Sequence, residues 1–151
     1  MRAVVQRVAA AQVTVEGEVV SSIGPGLCVL LGVTHSDGSP QAAKMASKLA
    51  KMRIFADEQG RMNLSVQDVQ GEVLVVSQFT VYGDTRKGNR PGFSDAARPE
   101  QAEPLITQVV DDLVGHGVKV ATGRFRTHMA VSLINDGPVT VVVSTGGDSH
   151  G

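Results

Sequence analysis

The run Val131-Ser132-Leu133-Ile134-Asn135-Asp136-Gly137-Pro138-Val139-Thr140-Val141-Val142-Val143 constrains the fold of this chain more than any other. Two β-branched, apolar segments with the composition of strands meet at Asn-Asp-Gly-Pro. Glycine reaches backbone angles closed to other residues, while proline fixes its φ and donates no hydrogen bond. An X-Pro bond also adopts the cis form at modest cost. The plain expectation is an ordinary hairpin turn between two strands. The alternative is a stiff piece of backbone, free of a Cβ, that presents carbonyls to a ligand at fixed distance.

The rest of the chain reads as many strands interrupted by two helices. Residues 2 to 8 and 12 to 16 read as strands with Val4, Val13 and Val15 inward, and Glu16-Gly17-Glu18 turns into a third strand around Val19. Gly24-Pro25-Gly26 breaks the chain before Leu27 to Val33, a continuous apolar run suited to a strand buried on both faces. Ser39 as N-cap and Pro40 at the first helical position open a helix from Gln41 to about Phe55. Its apolar side is Ala42, Met45, Ala46, Leu49 and Met52, and Lys44, Lys48 and Lys51 take the other face. Those lysines could touch phosphate, although a solvated helix face is the simpler account. A second amphipathic helix runs from Pro99 to about Val114 and closes at His116-Gly117, where a histidine suits the negative helix end. Val118 to Ala121 reads as a strand and residues 146–151 as a disordered tail. This pattern predicts an α+β single domain over residues 1–145, with a curved, largely antiparallel, barrel-like sheet and two main packed helices.

Functional candidates come from polar residues where the apolar pattern predicts core. Val73-Leu74-Val75-Val76 runs directly into Ser77-Gln78-Phe79-Thr80, and polar groups at a buried strand end need partners or a ligand. Beyond it, Arg86, Lys87 and Arg90 form the densest basic cluster, spaced by glycines in a loop that suits a phosphate backbone or a solvated linker. Gly123-Arg124-Phe125-Arg126-Thr127-His128 is a second basic segment.

Several chemistries find no support. The net charge is −1, and four Phe, one Tyr and no Trp leave no broad stacking platform, so RNA contact would rest on a local patch. No dinucleotide fingerprint, P-loop or Gly-x-Ser-x-Gly elbow occurs. His35, His116, His128 and His150 lack metal-ligand spacing, and the single cysteine, Cys28, sits in an apolar run as a buried hydrophobe. We therefore expect no metal and no cofactor. The N-terminus lacks a secretory signal and no apolar run is long enough to span a bilayer, so the expected location is the cytoplasm, away from membranes.

Ser77-Gln78-Phe79-Thr80-Val81-Tyr82, Lys87-Gly88-Asn89-Arg90-Pro91 and Asn135-Asp136-Gly137-Pro138-Val139-Thr140 occur in an order and spacing that resemble the D-aminoacyl-tRNA deacylases, also called D-tyrosyl-tRNA deacylases. The opening Met1-Arg2-Ala3-Val4-Val5-Gln6-Arg7-Val8 is similar as well, so the resemblance covers residues 1 to about 145. It implies a carboxylic ester hydrolase that releases a D-amino acid from the 3′ end of aminoacylated tRNA. It also implies a homodimer with the site at the subunit interface, Gly137-Pro138 being cis and reaching into the partner's pocket to reject L-forms. Catalytic roles would fall to Ser77, Gln78, Phe79 and Thr80, with Thr80 either nucleophile or orienting group. The tRNA would meet Arg86, Lys87, Arg90, Phe125 and Met129, the last two lining the terminal adenosine site or serving the core. A gate that works by clash would let many D-amino acids through, and glycine with them.

Two departures from the family pattern stand out: Gly92 where serine is common, and an unusually basic 124–128 segment. Two rival readings remain. One is a non-catalytic tRNA-binding module using Arg86, Lys87, Arg90, Arg124 and Arg126. The other is a hydrolase of small D-amino acid esters with no RNA.

Overall fold

Strand β1 (Arg2–Val15) organises the molecule, with β3 (Gly26–Gly32) and β2 (Glu18–Ile23) paired along one edge and β8 (Ala130–Ser144) along the other. The two strands expected at 2–8 and 12–16 are thus one. Ala9 and Ala10, exposed at its middle, carry little apolar signal, and an irregularity between Val8 and Ala10 shifts which residues face inward. Ala3 and Val5 join the core beneath the helices, whereas Val8, Ala11, Val13 and Val15 join a second core. Val4, expected inward, is only half-buried, because it pairs with exposed Val142 on the face opposite Val5. The computed structural model describes residues 1–146, so all but the first residue of the expected tail lies outside the described residues.

From β3 the sheet continues in parallel to β6 (Glu72–Ser77) and β7 (Lys119–Thr122). Parallel neighbours need crossovers, supplied here by α1 (Ser39–Lys51) and α2 (Pro99–Gly115). A short hairpin, β4 (Phe55–Ala56) with β5 (Met62–Leu64), follows α1. The three ladders of β1 are antiparallel, and β2 curls round to meet β6 and β7, giving the expected α+β architecture with a curved, nearly closed, largely antiparallel sheet. Leu27, Val29 and Leu31 of β3 face the helices, while Cys28 faces the second core, which accounts for that strand's unbroken apolar run. Burial pushes the Cys28 thiol up to about 11, so it stays protonated and unreactive.

Helix α1 buries Ala42, Met45, Ala46, Leu49 and Ala50 and leaves Lys44, Lys48 and Lys51 exposed, as its periodicity predicts. Its N-cap is Gly38 rather than Ser39, because the Gln41 side chain accepts the Gly38 N–H at 2.7 Å. The helix also stops at Lys51, and Phe55 already belongs to β4. Helix α2 ends as expected, with the His116 N–H donating to Asp112 and Leu113 carbonyls.

Both apolar segments of residues 131–143 lie in β8, and they are not hairpin arms. Each pairs with β1 in the same antiparallel sense. Thr140 pairs with Gln6 and Asn135 with Val8, so five steps along β8 match two along β1, and the surplus three residues leave the ladder as a wide bulge. Asp136, Gly137 and Pro138 are exposed there, and the Gly137-Pro138 peptide is cis. The Asn135 amide closes the bulge: its Oδ1 accepts the Val139 N–H at 2.7 Å, and its Nδ2 donates to Val139 O at 3.2 Å and Thr140 Oγ1 at 3.0 Å. Arg7 braces the other side, its Nε donating to Asp136 O at 2.9 Å and its Nη1 to Ile54 O at 2.8 Å. Gly137 adopts φ +144°, and a Cβ there would lie 2.7 Å from Val139 Cγ2 and 2.9 Å from the Val139 nitrogen, so the position demands glycine.

The ends of the outer ladder are fixed by a buried charge pair. The Met1 α-ammonium donates to Asp37 Oδ1 at 2.7 Å, with both groups almost wholly shielded from solvent, and Asp37 Oδ2 accepts the Thr34 N–H at 2.8 Å. Removing one member of such a pair leaves the other uncompensated in a low-dielectric site. We expect Asp37→Asn to lower the unfolding free energy by roughly 3–5 kcal/mol in urea titrations. A loss under about 1 kcal/mol would mean the pair is effectively solvated.

Candidate active site

The polar residues after Val76 sit where β6 leaves the sheet. Ser77 is the last strand residue, the Gln78 N–H donates to Leu31 O at 2.8 Å, and Phe79–Tyr82 form one 3-10 turn. Gly32 lets that turn lie on the end of β3, since a Cβ there would meet Val81 Cγ2 at 2.3 Å and Gln78 O at 3.0 Å. Arg2 holds the turn from below, donating to Val81 O at 3.1 Å while its guanidinium stacks 4.6 Å from the Tyr82 ring centroid. Gln78 Nε2 donates to Thr80 Oγ1. The N–H groups of Phe79 and Thr80 open the turn and donate to no backbone carbonyl among the described residues.

A cavity of about 720 Å³ opens beside this turn, within the range of small-molecule sites, roughly 300–1,000 Å³. Ser77, Gln78 and Phe79 wall one side, and Phe125 and Met129 face it from the loop before β8. Phe79 is 57 % exposed at its mouth and meets Phe93 edge-to-face, ring centroids 5.2 Å apart. Five of the residues chosen from sequence are therefore brought together. Thr80 joins them only through its bond to Gln78, and Arg86, Lys87, Arg90, Gly137 and Pro138 do not line the cavity.

Sequence reasoning missed Phe93 and Glu103 as cavity residues, since neither has a local pattern to mark it, and it noted His128 only as part of the second basic segment, which lines the cavity through residues 124–128. It also gave no separate role to Arg7 and Asn135, although both stand inside the quoted motifs. Met129 serves both the cavity, which it lines, and the second core, on which it packs, and its sulfur accepts the Arg124 N–H at 3.4 Å.

The basic loop is less uniformly cationic than its sequence. Reciprocal bonds of 2.7 and 2.8 Å between Asp84 and Gly92 close it. Inside it, Arg86 forks onto the Asp84 carboxylate at 2.9 and 2.8 Å. That hydrogen bonding holds Asp84 well below the usual carboxylate range and raises the Arg86 pKa. Lys87 and Arg90 remain exposed and form no ion pair among the described residues. At Gly92 the nearest atom to an added Cβ is 4.0 Å away, so the departure there answers to no steric demand. In the second basic segment, Arg126 takes φ +56° and pairs with Glu103 at 3.1 Å and Glu100 at 3.7 Å, which ties the segment to α2.

Among the described residues no cluster of three or more His, Cys, Asp or Glu side chains could hold a metal, and no helix is long and apolar enough to cross a membrane.

The family model described as D-Tyr-tRNA(Tyr) deacylase matches residues 4–144. The D-aminoacyl-tRNA deacylase of Symbiobacterium thermophilum is 58 % identical over 145 residues, covering 96 % of each chain. That of Heliobacterium modesticaldum is 57 % identical over 150 residues, covering 99 % of this chain and all of the relative. A solved structure titled c-Myc DNA Unwinding Element Binding Protein superposes with a TM-score of 0.91 at 41 % identity, covering 97 % of this chain and all of the other. A probable eukaryotic D-amino acid tRNA deacylase shares the fold at a TM-score of 0.82 and 15 % identity, covering 94 % of this chain and 97 % of the other. The chain belongs to the D-aminoacyl-tRNA deacylase family.

Proposed function

We propose that this protein hydrolyses the ester between a D-amino acid and the 3′ end of tRNA, and that Gly137-Pro138 of a second copy forms the chiral wall of the pocket. The observation that carries this reading is the separation of the two motifs within one chain. Ser77, Gln78 and Phe79 wall a cavity from which Gly137 and Pro138 are absent, while the bulge bearing that dipeptide stands exposed on a braced ladder. A second copy, arranged symmetrically, supplies the missing wall to each cavity. The translating compartment, the cytoplasm, is where such a substrate arises.

The chemistry asks little of side chains. Water adds to the activated ester carbonyl, negative charge gathers on its oxygen, and collapse expels the ribose oxygen, which takes up a proton. Free amino acid and tRNA result. In this reading the N–H groups of Phe79 and Thr80, which open the 3-10 turn without a backbone acceptor among the described residues, receive the developing oxyanion, and one such donor contributes about 2.7–4 kcal/mol. Gln78 and Ser77 shape the pocket, and the ribose 2′-hydroxyl or a held water handles the proton. Thr80 acts as an orienting group: its hydroxyl accepts from Gln78, and no histidine, lysine or carboxylate is hydrogen-bonded to it among the described residues to serve as a base.

Chirality is rejected by backbone. A pocket that senses side-chain size alone discriminates by only about 1–3 kcal/mol per methylene. A braced main-chain wall excludes an L side chain by clash, whatever its identity. Many D-amino acids then pass, and so does glycine.

Hydrolysis of matched D-, L- and glycyl-tRNA esters checks this, with D-esters cleaved at least ~100-fold faster than L-esters, the scale of a clash worth about 3 kcal/mol. Comparable D and L rates would refute the wall; tRNA binding without hydrolysis would favour the binding module; equal turnover of free D-amino acid esters would favour the small-ester hydrolase. For Thr80→Ala, single-turnover rates should stay within about tenfold of the parent, since an orienting hydroxyl contributes on the order of one hydrogen bond. A fall beyond about 10³-fold would contradict the orienting role and leave the nucleophile role open.

A further inference from the structure

We propose that the lysine stripe of α1, Lys44, Lys48 and Lys51, is a binding surface for the sugar-phosphate backbone of the tRNA acceptor arm, an inference that rests on the deacylase reading above. Helix α1 carries these three cations and no acidic residue. Spacings of four and three place them within about 60° of the helix circumference and along about 10 Å of its length. All three are exposed, and none forms an ion pair among the described residues. Arg86 is by contrast taken by Asp84 and Arg126 by Glu100 and Glu103, which leaves Lys87, Arg90 and Arg124 as the other exposed cations of the two basic segments outside any ion pair among the described residues. Arg53, the next cation along the chain, is held by Asn63 at 3.0 Å and lies beyond the helix, so it is left out of the stripe.

Position gives the stripe its meaning. Three residues past Lys51, the Ile54 carbonyl accepts from Arg7, and the same guanidinium donates to Asp136 beside Gly137. The stripe's C-terminal end and the chiral bulge are thus braced by one side chain, and three extended residues reach only about 10 Å. Wherever the bulge meets an ester, Lys51 comes near the nucleic acid that carries it. A polyanion is the occupant the charge calls for, in a chain whose net charge is −1. A lipid surface fits poorly, because the apolar face of α1 is committed to the core through Ala42, Met45 and Leu49.

The test is the binding of uncharged tRNA, across salt concentrations, to the protein and to its Lys44→Gln/Lys48→Gln/Lys51→Gln variant. Because the variant no longer neutralises three phosphates, the slope of log K against log salt should become shallower by about 2, and affinity at low salt should fall at least ~10-fold. The triple Lys→Arg variant should restore both. Slopes and affinities equal to the parent's would overturn the stripe, as would lost binding to vesicles of anionic phospholipid with tRNA binding unchanged. Hydrolysis of D-aminoacyl-tRNA by the unaltered protein is scored separately: an intact ester refutes the deacylase reading, whereas an unchanged salt slope refutes only the stripe.

Discussion

The antiparallel ladder between β1 and β8 is the interaction on which the rest of the structure depends. It ties the first strand of the chain to the last along nearly their whole lengths, while β2 and β3 take the other edge of β1 and β6 and β7 extend the sheet from β3. Two regular stretches flank the surplus residues at Gly137-Pro138, so the ladder holds the bulge from both sides. Asn135 and Arg7 then complete its polar groups from within and from β1. An exposed main-chain loop would ordinarily be mobile. Here the hydrogen bonds of its neighbours leave it little room to relax, which is what a stereochemical wall requires.

The same frame sets the end of the sheet that carries the proposed catalytic turn. β3 runs beside β1, carries Gly32 at its end, and so creates the space in which the Phe79–Tyr82 turn rests. Arg2, on β1 itself, grips that turn through Val81 and Tyr82. One strand therefore positions both motifs, with Arg2 serving the turn and Arg7 the bulge. The two motifs nevertheless belong to different sites of a single chain, since the cavity at Ser77 is not walled by Gly137 or Pro138.

Much of this is legible in the sequence where burial is decided by local pattern. The unbroken run of β3, the lysine and apolar faces of α1, and the polar break after Val76 all lie where the residues put them. Local reading fails where a long-range partner overrides local punctuation. Asn-Asp-Gly-Pro reads as a turn because turn chemistry and bulge chemistry use the same residues, and only the pairing of both flanks with β1 separates them. Ala9-Ala10 reads as a gap for a related reason, as the ladder carries the chain through a weakly apolar stretch. The 86–90 loop reads as more cationic than it is because Asp84, two residues before Arg86, folds back onto it. Glu103 and His128 are invisible as cavity residues, since nothing short of the tertiary fold brings α2 and the loop before β8 to the end of β6.

The most direct test of the backbone wall is a crystal structure with a non-hydrolysable D-aminoacyl-adenosine in which an amide replaces the ester. The expected result is the aminoacyl group in the cavity beside Ser77, Gln78 and Phe79, with Gly137-Pro138 of a second copy in van der Waals contact on the face where an L side chain would project. A ligand bound in that cavity with no Gly137-Pro138 from either copy against it would contradict the claim that main chain, rather than a side chain, sorts the two hands.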